Sequence, residues 1–341
     1  MRSMTRPLLA CGLLLVSLAA GALVITHRLL NQPMKLPPAG YALDVPVGTS
    51  LRRLAGRLGA QGVLGYPRML TAYGRVTGLA DEVKAGEYEI PAGTTPRQLL
   101  QQLVEGRVKL HSLTIVEGWT TRDVMRAIRN NPAIRQTLDD VHGKALARAL
   151  DLPSAEPEGW FFPDTYRFPR HTTDREILAM ANTRMTIALE QAWAGRQLDL
   201  PLRSAYDALI LASIVEKETG LDRERPQIAG VLIRRLKSGM RLQTDPTVIY
   251  GLGEEFDGDL TRRQLTKDSP YNTYTRTGLP PSPISLPGES SLLAAVHPDK
   301  SESLYFVSSG DDDGSHVFSA TLRAHNAAVR RFLEATRGEG K

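Results

Sequence analysis

The chain has a single cysteine, Cys11, in 341 residues. One thiol excludes an intramolecular disulfide and a thiolate metal cluster, and a residue inside an apolar run is no place for a cysteine nucleophile. The seven histidines form no His-Glu-x-x-His pattern and no other close-spaced ligand set, so no metal is expected. No Gly-x-Ser-x-Gly elbow and no phosphate loop occur, and no cofactor is expected. Charge is nearly balanced, 42 Lys and Arg against 37 Asp and Glu, with no polybasic run or arginine stripe to suit a nucleic acid. The net +5 would also suit an anionic polymer such as a cell wall, but charge alone does not choose. Hydrophobic residues at 42% and charged residues at 23% are ordinary for a globular protein with a real core.

One long uncharged apolar run is present, Pro7 to Thr26, 20 residues and so the length of a helix that crosses a bilayer. It exceeds the usual apolar region of a signal peptide, and His27, Arg28, Leu29 and Leu30 follow it in place of a small-x-small exit. An uncleaved anchor is therefore expected over a cleaved signal. A lipoprotein reading of Leu9-Ala10-Cys11 fails, because the apolar run follows the cysteine. Arg2 and Arg6 precede the span and Arg28 and Lys35 follow it, so charge gives only a slight bias in orientation.

Residues 1–30 are thus read as a cytoplasmic tip and anchor. Asn31 to Gly40, rich in proline and turn residues, reads as a linker. One device then recurs three times. An extended segment meets a glycine (Gly48, Gly93, Gly118), then a hydroxyl residue (Ser50, Thr95, Thr120) and an amphipathic stretch. Glycine supplies the turn, and the hydroxyl caps the first N–H groups of a helix. Helical patterns at Leu51–Leu58 and Pro67–Val76, followed by a strand at Gly86–Ile90, complete a strand-helix-helix-strand order within residues 41–108. That order resembles the LysM fold, a small module that binds N-acetylglucosamine polymers; a small α+β spacer has the same order. Residues 109–341 read as a larger mixed domain. Helices are expected at Thr121–Arg129, Asp174–Gly195, Leu202–Thr219, Asp222–Lys237 and Thr321–Thr336, with a strand at Leu304–Val307. Helices and short strands without βα alternation give an α+β class.

The stretch Leu209-Ile-Leu-Ala-Ser-Ile-Val-Glu-Lys-Glu-Thr-Gly220 is the most informative for chemistry. At ~100° per residue Glu216 and Glu218 point about 200° apart and do not face one site together. Glu218 continues the bulky stripe of Leu211, Ile214 and Val215, where desolvation would raise its pKa. A general acid for glycosidic cleavage needs that property. The plainer use of both glutamates is as end-of-helix charges beside Lys217 and Arg223, with Gly220 as a left-handed helix stop. Ordinary glycosidases pair two carboxylates; Glu158 and Asp245 are the other candidates. A single glutamate suffices where the substrate supplies its own nucleophile, as the C6 hydroxyl of muramic acid does.

Two further segments suit a saccharide, which is held by amide and carboxylate hydrogen bonds and by aromatic faces. Gln243, Thr244 and Asp245 lie around a proline turn, where self-capping is the plainer use. Tyr271, Asn272, Thr273 and Tyr274 combine rings, an amide and a hydroxyl. Trp160, Phe161 and Phe162 are better suited to core packing than to a cleft.

Several pieces together carry a resemblance: Glu158-Gly-Trp-Phe-Phe-Pro-Asp-Thr165, Ala212-Ser-Ile-Val-Glu-Lys-Glu-Thr219, Gly239-Met-Arg-Leu-Gln-Thr-Asp-Pro-Thr-Val-Ile-Tyr250, Tyr271-Asn-Thr-Tyr274, Gly278-Leu-Pro-Pro281 and His297-Pro298. In these the chain resembles the endolytic murein transglycosylases of the YceG-like (MltG) family. The resemblance implies a LysM-like part joined to an α+β catalytic part, with Glu218 as acid and base. It implies internal cleavage of the MurNAc–GlcNAc β-1,4 bond of peptidoglycan glycan strands, leaving 1,6-anhydro-MurNAc ends and limiting strand length. It also implies an inner-membrane anchor with the catalytic part in the periplasm, acting on nascent strands near the peptidoglycan synthases. The alternatives are a wall-binding scaffold that cuts nothing, and a plain hydrolase with Asp245 as the second carboxylate.

Overall fold

A computed structural model describes residues 17–18, 20–21, 23–138, 142–311 and 313–338. Most of the expected span Pro7–Thr26 lies outside the described residues. Among the described residues no helix is long and apolar enough to cross a membrane. The architecture is mixed α and β, with three two-stranded sheets among the described residues. The chain falls into two compact units: residues 1–111 with 167–171, and residues 112–166 with 172–341.

In the first unit residues 23–30 are helical (α1). β1 (Tyr41–Val45) pairs antiparallel with β2 (Gly86–Ile90), Tyr41 opposite Ile90 and Val45 opposite Gly86. Between them in sequence stand α2 (Leu51–Ala60) and α3 (Pro67–Val76), and α4 (Pro96–Glu105) follows β2. Alternation decides the strand faces: Leu43, Val45, Tyr88 and Ile90 are buried while their neighbours face outward. They join Leu51, Leu54, Leu58, Leu99, Leu100 and Leu103 in one core.

The three hydroxyl residues cap helices as expected. Ser50 accepts from Arg53 N, and Thr95 and Thr120 form full capping boxes with Gln98 and Asp123. The glycines before them hold φ of 77°, 85° and 76°, a region open to glycine without strain. The segment expected as a linker is not free. Met34 is buried in the same core as Leu54 and Leu58; its N–H donates to Thr94 O at 2.9 Å and that of Lys35 to Val63 O at 3.2 Å. Apolar side chains at Leu30 and Met34 are reason enough for that stretch to pack down.

β3 (Leu110–Thr114) and β4 (Thr165–Pro169) pair with each other. The second unit holds α5 (Thr121–Arg129), α6 (Gly143–Ala149), α7 (Asp174–Ala194), α8 (Ala205–Glu218), α9 (Arg225–Lys237), α10 (Asp245–Leu252), α11 (Arg262–Thr266), α12 (Glu289–Val296) and α13 (Leu322–Gly338). The hairpin of β5 (Tyr305–Ser308) and β6 (His316–Ser319) precedes α13. The centre is α8, with α7, α9, α10 and α12 packed around it. Every residue from Asp207 to Val215 is buried. The expected division of this helix into a bulky and a smaller stripe therefore does not decide burial: both lie in the core. Trp160 and Phe161 are buried with it, the core use expected of them.

Candidate active site

Burial on all sides carries α8 as a rigid rod to its C-terminal turn, where the two glutamates emerge at different places. Glu216 is tied down. Its Oε1 accepts from Arg225 Nη2 at 3.2 Å and its Oε2 from Gly288 N at 3.0 Å, with 5% of the side chain exposed. An ion pair this buried, with both oxygens used, fastens α8 to the start of α9 and to the loop before α12. Glu218 has nothing comparable. Its Oε1 is buried and has no hydrogen-bond partner. Burial, reinforced by the nearby Asp245 anion and opposed by Arg235, pushes its pKa up to about 8.

The helix stops there by an unexpected route. Thr219 is extended, φ −147° and ψ 140°, and its Oγ1 accepts from Leu221 N at 3.0 Å. Gly220 does not take the left-handed conformation expected of it. The extended Thr219 ends the helix straight after Glu218.

Asp245 opens α10, with Pro246 fixing the first turn. Tyr274 donates its phenol proton to Asp245 Oδ1 at 2.5 Å. Burial first, then this carboxylate, raises the Tyr274 pKa. Gln243 holds φ of 53°, a costly conformation for a long side chain. It is held from three directions. Its N–H donates to Thr273 O at 3.2 Å, its side-chain oxygen accepts from Arg235 Nη1 at 3.4 Å, and the same Nη1 donates to the preceding Leu242 O at 2.7 Å.

Of the seven residues expected to hold a saccharide, the structure separates those that face outward from those that build the loops. Gln243 and Asp245 are exposed, and Tyr274 and Tyr271 are partly so. Thr244 and Thr273 are buried with Thr247 in a hydroxyl cluster: Thr244 N donates to Thr273 Oγ1 at 3.1 Å, and Thr247 and Thr273 share a hydrogen bond of 2.9 Å. Asn272 is also buried. Its amide donates to Gln264, Leu265 and Lys267 carbonyls, at 2.7 Å for the last, and its oxygen accepts from Tyr274 N at 2.8 Å. These three side chains spend their polar groups on the protein. Their work is to fix the two loops that present Asp245 and Tyr274.

Tyr271 packs edge-on against Tyr250 at 4.9 Å and hydrogen-bonds Ser282 Oγ at 2.7 Å. Tyr250 in turn donates to Glu158 Oε2 at 3.2 Å. Glu158 is buried, and it also accepts from Thr121 N at 2.9 Å and Thr121 Oγ1 at 3.2 Å. Burial outweighs these bonds and pushes its pKa up to about 7. It borders a cleft of about 490 Å³ with Arg122, Met125 and His142. In the sequence Glu158 stood out as a carboxylate without a partner motif and as the first residue of one stretch that carries the family resemblance.

Arg235 was not legible as a site residue. It lies in the last turn of α9, 7% exposed, and donates to Leu304 O at 2.7 Å as well as to Leu242 O. Its guanidinium sits over the Tyr305 ring at 5.2 Å, and Tyr305 stacks on His325 at 5.2 Å. Among the described residues no group of His, Cys, Asp and Glu is arranged to hold a metal ion.

A carboxyl that burial pushes toward the protonated form, with the Asp245 carboxylate adding to that push, has the property a general acid needs. Comparison with known proteins gives the family. The family model of the YceG-like family matches residues 43–331. The chain is 30% identical over 335 residues to a protein of Bacillus subtilis (strain 168) named endolytic murein transglycosylase, covering 92% of this chain and 91% of that one. It is 24% identical over 299 residues to a protein of the same name from Streptococcus pneumoniae (strain D39), covering 78% of this chain and 53% of the relative, so it spans about half of that longer protein. A crystal structure of a YceG-like protein from Listeria monocytogenes superposes with a TM-score of 0.53 at 30% identity, over 85% of this chain and 99% of that one. The chain belongs to the YceG-like family.

Proposed function

We propose that this protein is an endolytic lytic transglycosylase of murein and that Glu218 is its acid and base. The observation that carries the reading is the Glu218 carboxyl, buried at Oε1, without a hydrogen-bond partner and pushed up to about 8. A carboxylic acid in that state holds a proton near neutral pH and has one oxygen uncommitted. The curated relatives' shared name supports the reaction class.

In the proposed reaction Glu218 gives its proton to the bridging oxygen as the C1–O bond of MurNAc breaks. The C6 hydroxyl of the same sugar closes on C1, and the Glu218 carboxylate, now the base, takes the hydroxyl proton. One bond breaks, one forms, and the glutamate ends protonated. Asp245 faces the positive charge that develops on the sugar ring, and Tyr274 holds that carboxylate in place. Tyr271 and Gln243 border the strand. The strand-helix-helix-strand unit is read as LysM-like and glycan-binding. Residues 7–26 are read as a single-pass inner-membrane anchor with both units in the periplasm, acting on nascent strands beside the peptidoglycan synthases.

Purified peptidoglycan incubated with the protein and analysed by mass spectrometry tests the reading. Internal fragments with 1,6-anhydro-MurNAc ends are expected from the wild type and not from Glu218→Gln. Reducing ends would favour the second reading, a hydrolase, for which the Asp245 carboxylate acting on Glu218 is the supporting observation. Binding of the polymer without fragments would leave a scaffold.

A further inference from the structure

The helix pair of the first unit carries charge of one sign. From Leu51 to Val76 the chain has five arginines, Arg52, Arg53, Arg57, Arg68 and Arg75, and no aspartate or glutamate. Arg57 donates to Asp44 O. The side chains of the other four are exposed and make no hydrogen bond or ion pair with the described residues. Three of these, Arg52, Arg68 and Arg75, border an open groove of about 740 Å³ between α2 and α3. The groove is open beside Gly56 and Gly65, where a Cβ would meet no atom within 4 Å. Tyr66, 52% exposed, stands at its edge. Unanswered guanidinium groups around one groove concentrate positive potential, and their planar fork matches the oxygens of a phosphate.

The chain path limits where this groove can be. α1 ends at Leu30, which is 4% exposed in the same core as Leu54, Leu58 and Leu64. Lys35, the fifth residue on, is bonded through its N–H to Val63 O, two residues before Gly65. At most about 17 Å of extended chain separates Leu30 from Lys35. The groove's Gly65–Tyr66 edge is thus tethered close to the end of α1 by packed residues. Arg28 and Lys35 are exposed on that tether and add to the positive charge. A tyrosine among arginines is the side-chain set suited to a membrane–water interface.

We propose that the α2–α3 groove binds the phosphates of anionic lipid headgroups, holding the first unit against the membrane surface. The proposal rests on the reading of residues 7–26 as an anchor. It assigns the groove a lipid rather than the acidic stem peptides of the wall polymer because the tether fixes it near the helix end.

The test uses the full chain reconstituted in vesicles, with Tyr66→Trp as a reporter and the unsubstituted chain as background for Trp119, Trp160 and Trp193. Vesicles carry either brominated phosphatidylglycerol or brominated phosphatidylcholine, so that the quencher sits at the same depth under different headgroups. Quenching by the anionic lipid should exceed that by the zwitterionic one roughly threefold, and high salt should abolish the excess. Arg52→Ser, Arg68→Ser and Arg75→Ser combined should remove it too, with the fold intact because all three are exposed. Equal or no quenching in a chain that stays with the vesicles through an alkaline carbonate wash overturns the proposal while sparing the anchor. Loss of the chain from the vesicles in that wash overturns both. Relief of quenching by soluble disaccharide-peptide fragments of murein would give the groove to the wall polymer instead.

Discussion

Tyr274 donates a 2.5 Å hydrogen bond to Asp245, and Asp245 is the anion that helps burial keep the proton on Glu218. The two residues come from loops 29 positions apart in sequence. The buried Thr244–Thr247–Thr273 hydroxyl cluster and the Asn272 amide lock those loops together. The proton on Glu218 is therefore set partly by loop packing.

Replacing Asp245 by Asn removes a negative charge that raises the Glu218 pKa. The acid then loses its proton at lower pH, and the alkaline limb of the pH–rate profile should move down from about 8. Turnover on murein across a pH series reads this directly. An alkaline limb that stays where it was would separate Asp245 from the acid.

Arg235 acts with the opposite sign. Its positive charge lowers the Glu218 pKa, so Arg235→Met should move the alkaline limb upward. The same change leaves the Leu242 and Leu304 carbonyls short of a buried donor, at about 1–3 kcal/mol each. Urea unfolding should show that loss. Arg235→Lys keeps the charge, and it should restore the limb more fully than the stability.

A buried acid with a raised pKa weakens the fold as pH rises. The unfolded glutamate ionises near its model value of 4.5, whereas the folded one holds its proton to about 8. Between those values the folded state binds more protons, so stability falls with rising pH and then levels off. Glu218→Gln removes this dependence. The variant should be more stable than wild type by roughly 2 kcal/mol at pH 8, discounted for partial exposure, with little difference at pH 5. Equal urea midpoints at both pH values would show Glu218 to be as well solvated as an ordinary surface glutamate.

Glu216, two residues away, should behave as a structural group. Glu216→Gln takes from Arg225 its one buried carboxylate partner, leaving Asp222 and Glu117, and should cost about 1–3 kcal/mol in thermal or urea unfolding. Activity per folded molecule should remain near wild type. A loss of activity without a loss of stability would move Glu216 into the chemistry.

Much of the architecture was written locally. Ser50, Thr95 and Thr120 cap helices where hydroxyl residues after a glycine said they would, because a cap needs only its own next few residues. The helix at Thr121–Arg129 has the expected bounds, and that of α7 differs by one residue. The strands β3 and β4 were missed because each is short and its partner lies some fifty residues away, as in the 51-residue separation of the bonded Thr114 and Thr165. The burial of Met34 within the expected linker was not legible, because proline content speaks of the local chain and not of the core beside it.

The sequence by itself determined that α8 exists, that Glu216 and Glu218 leave it in different directions, and that one of them sits at the end of a bulky apolar run. Those are consequences of helical period and side-chain type, which act within a few residues. Only the tertiary structure decided what each glutamate meets. It placed Arg225 and Gly288 on Glu216, and Asp245 and Arg235 around a carboxyl oxygen with no partner. It also turned Thr244, Asn272 and Thr273 inward to hold the loops. Burial and charge environment depend on residues brought together from distant parts of the chain, and the proton on Glu218 depends on both.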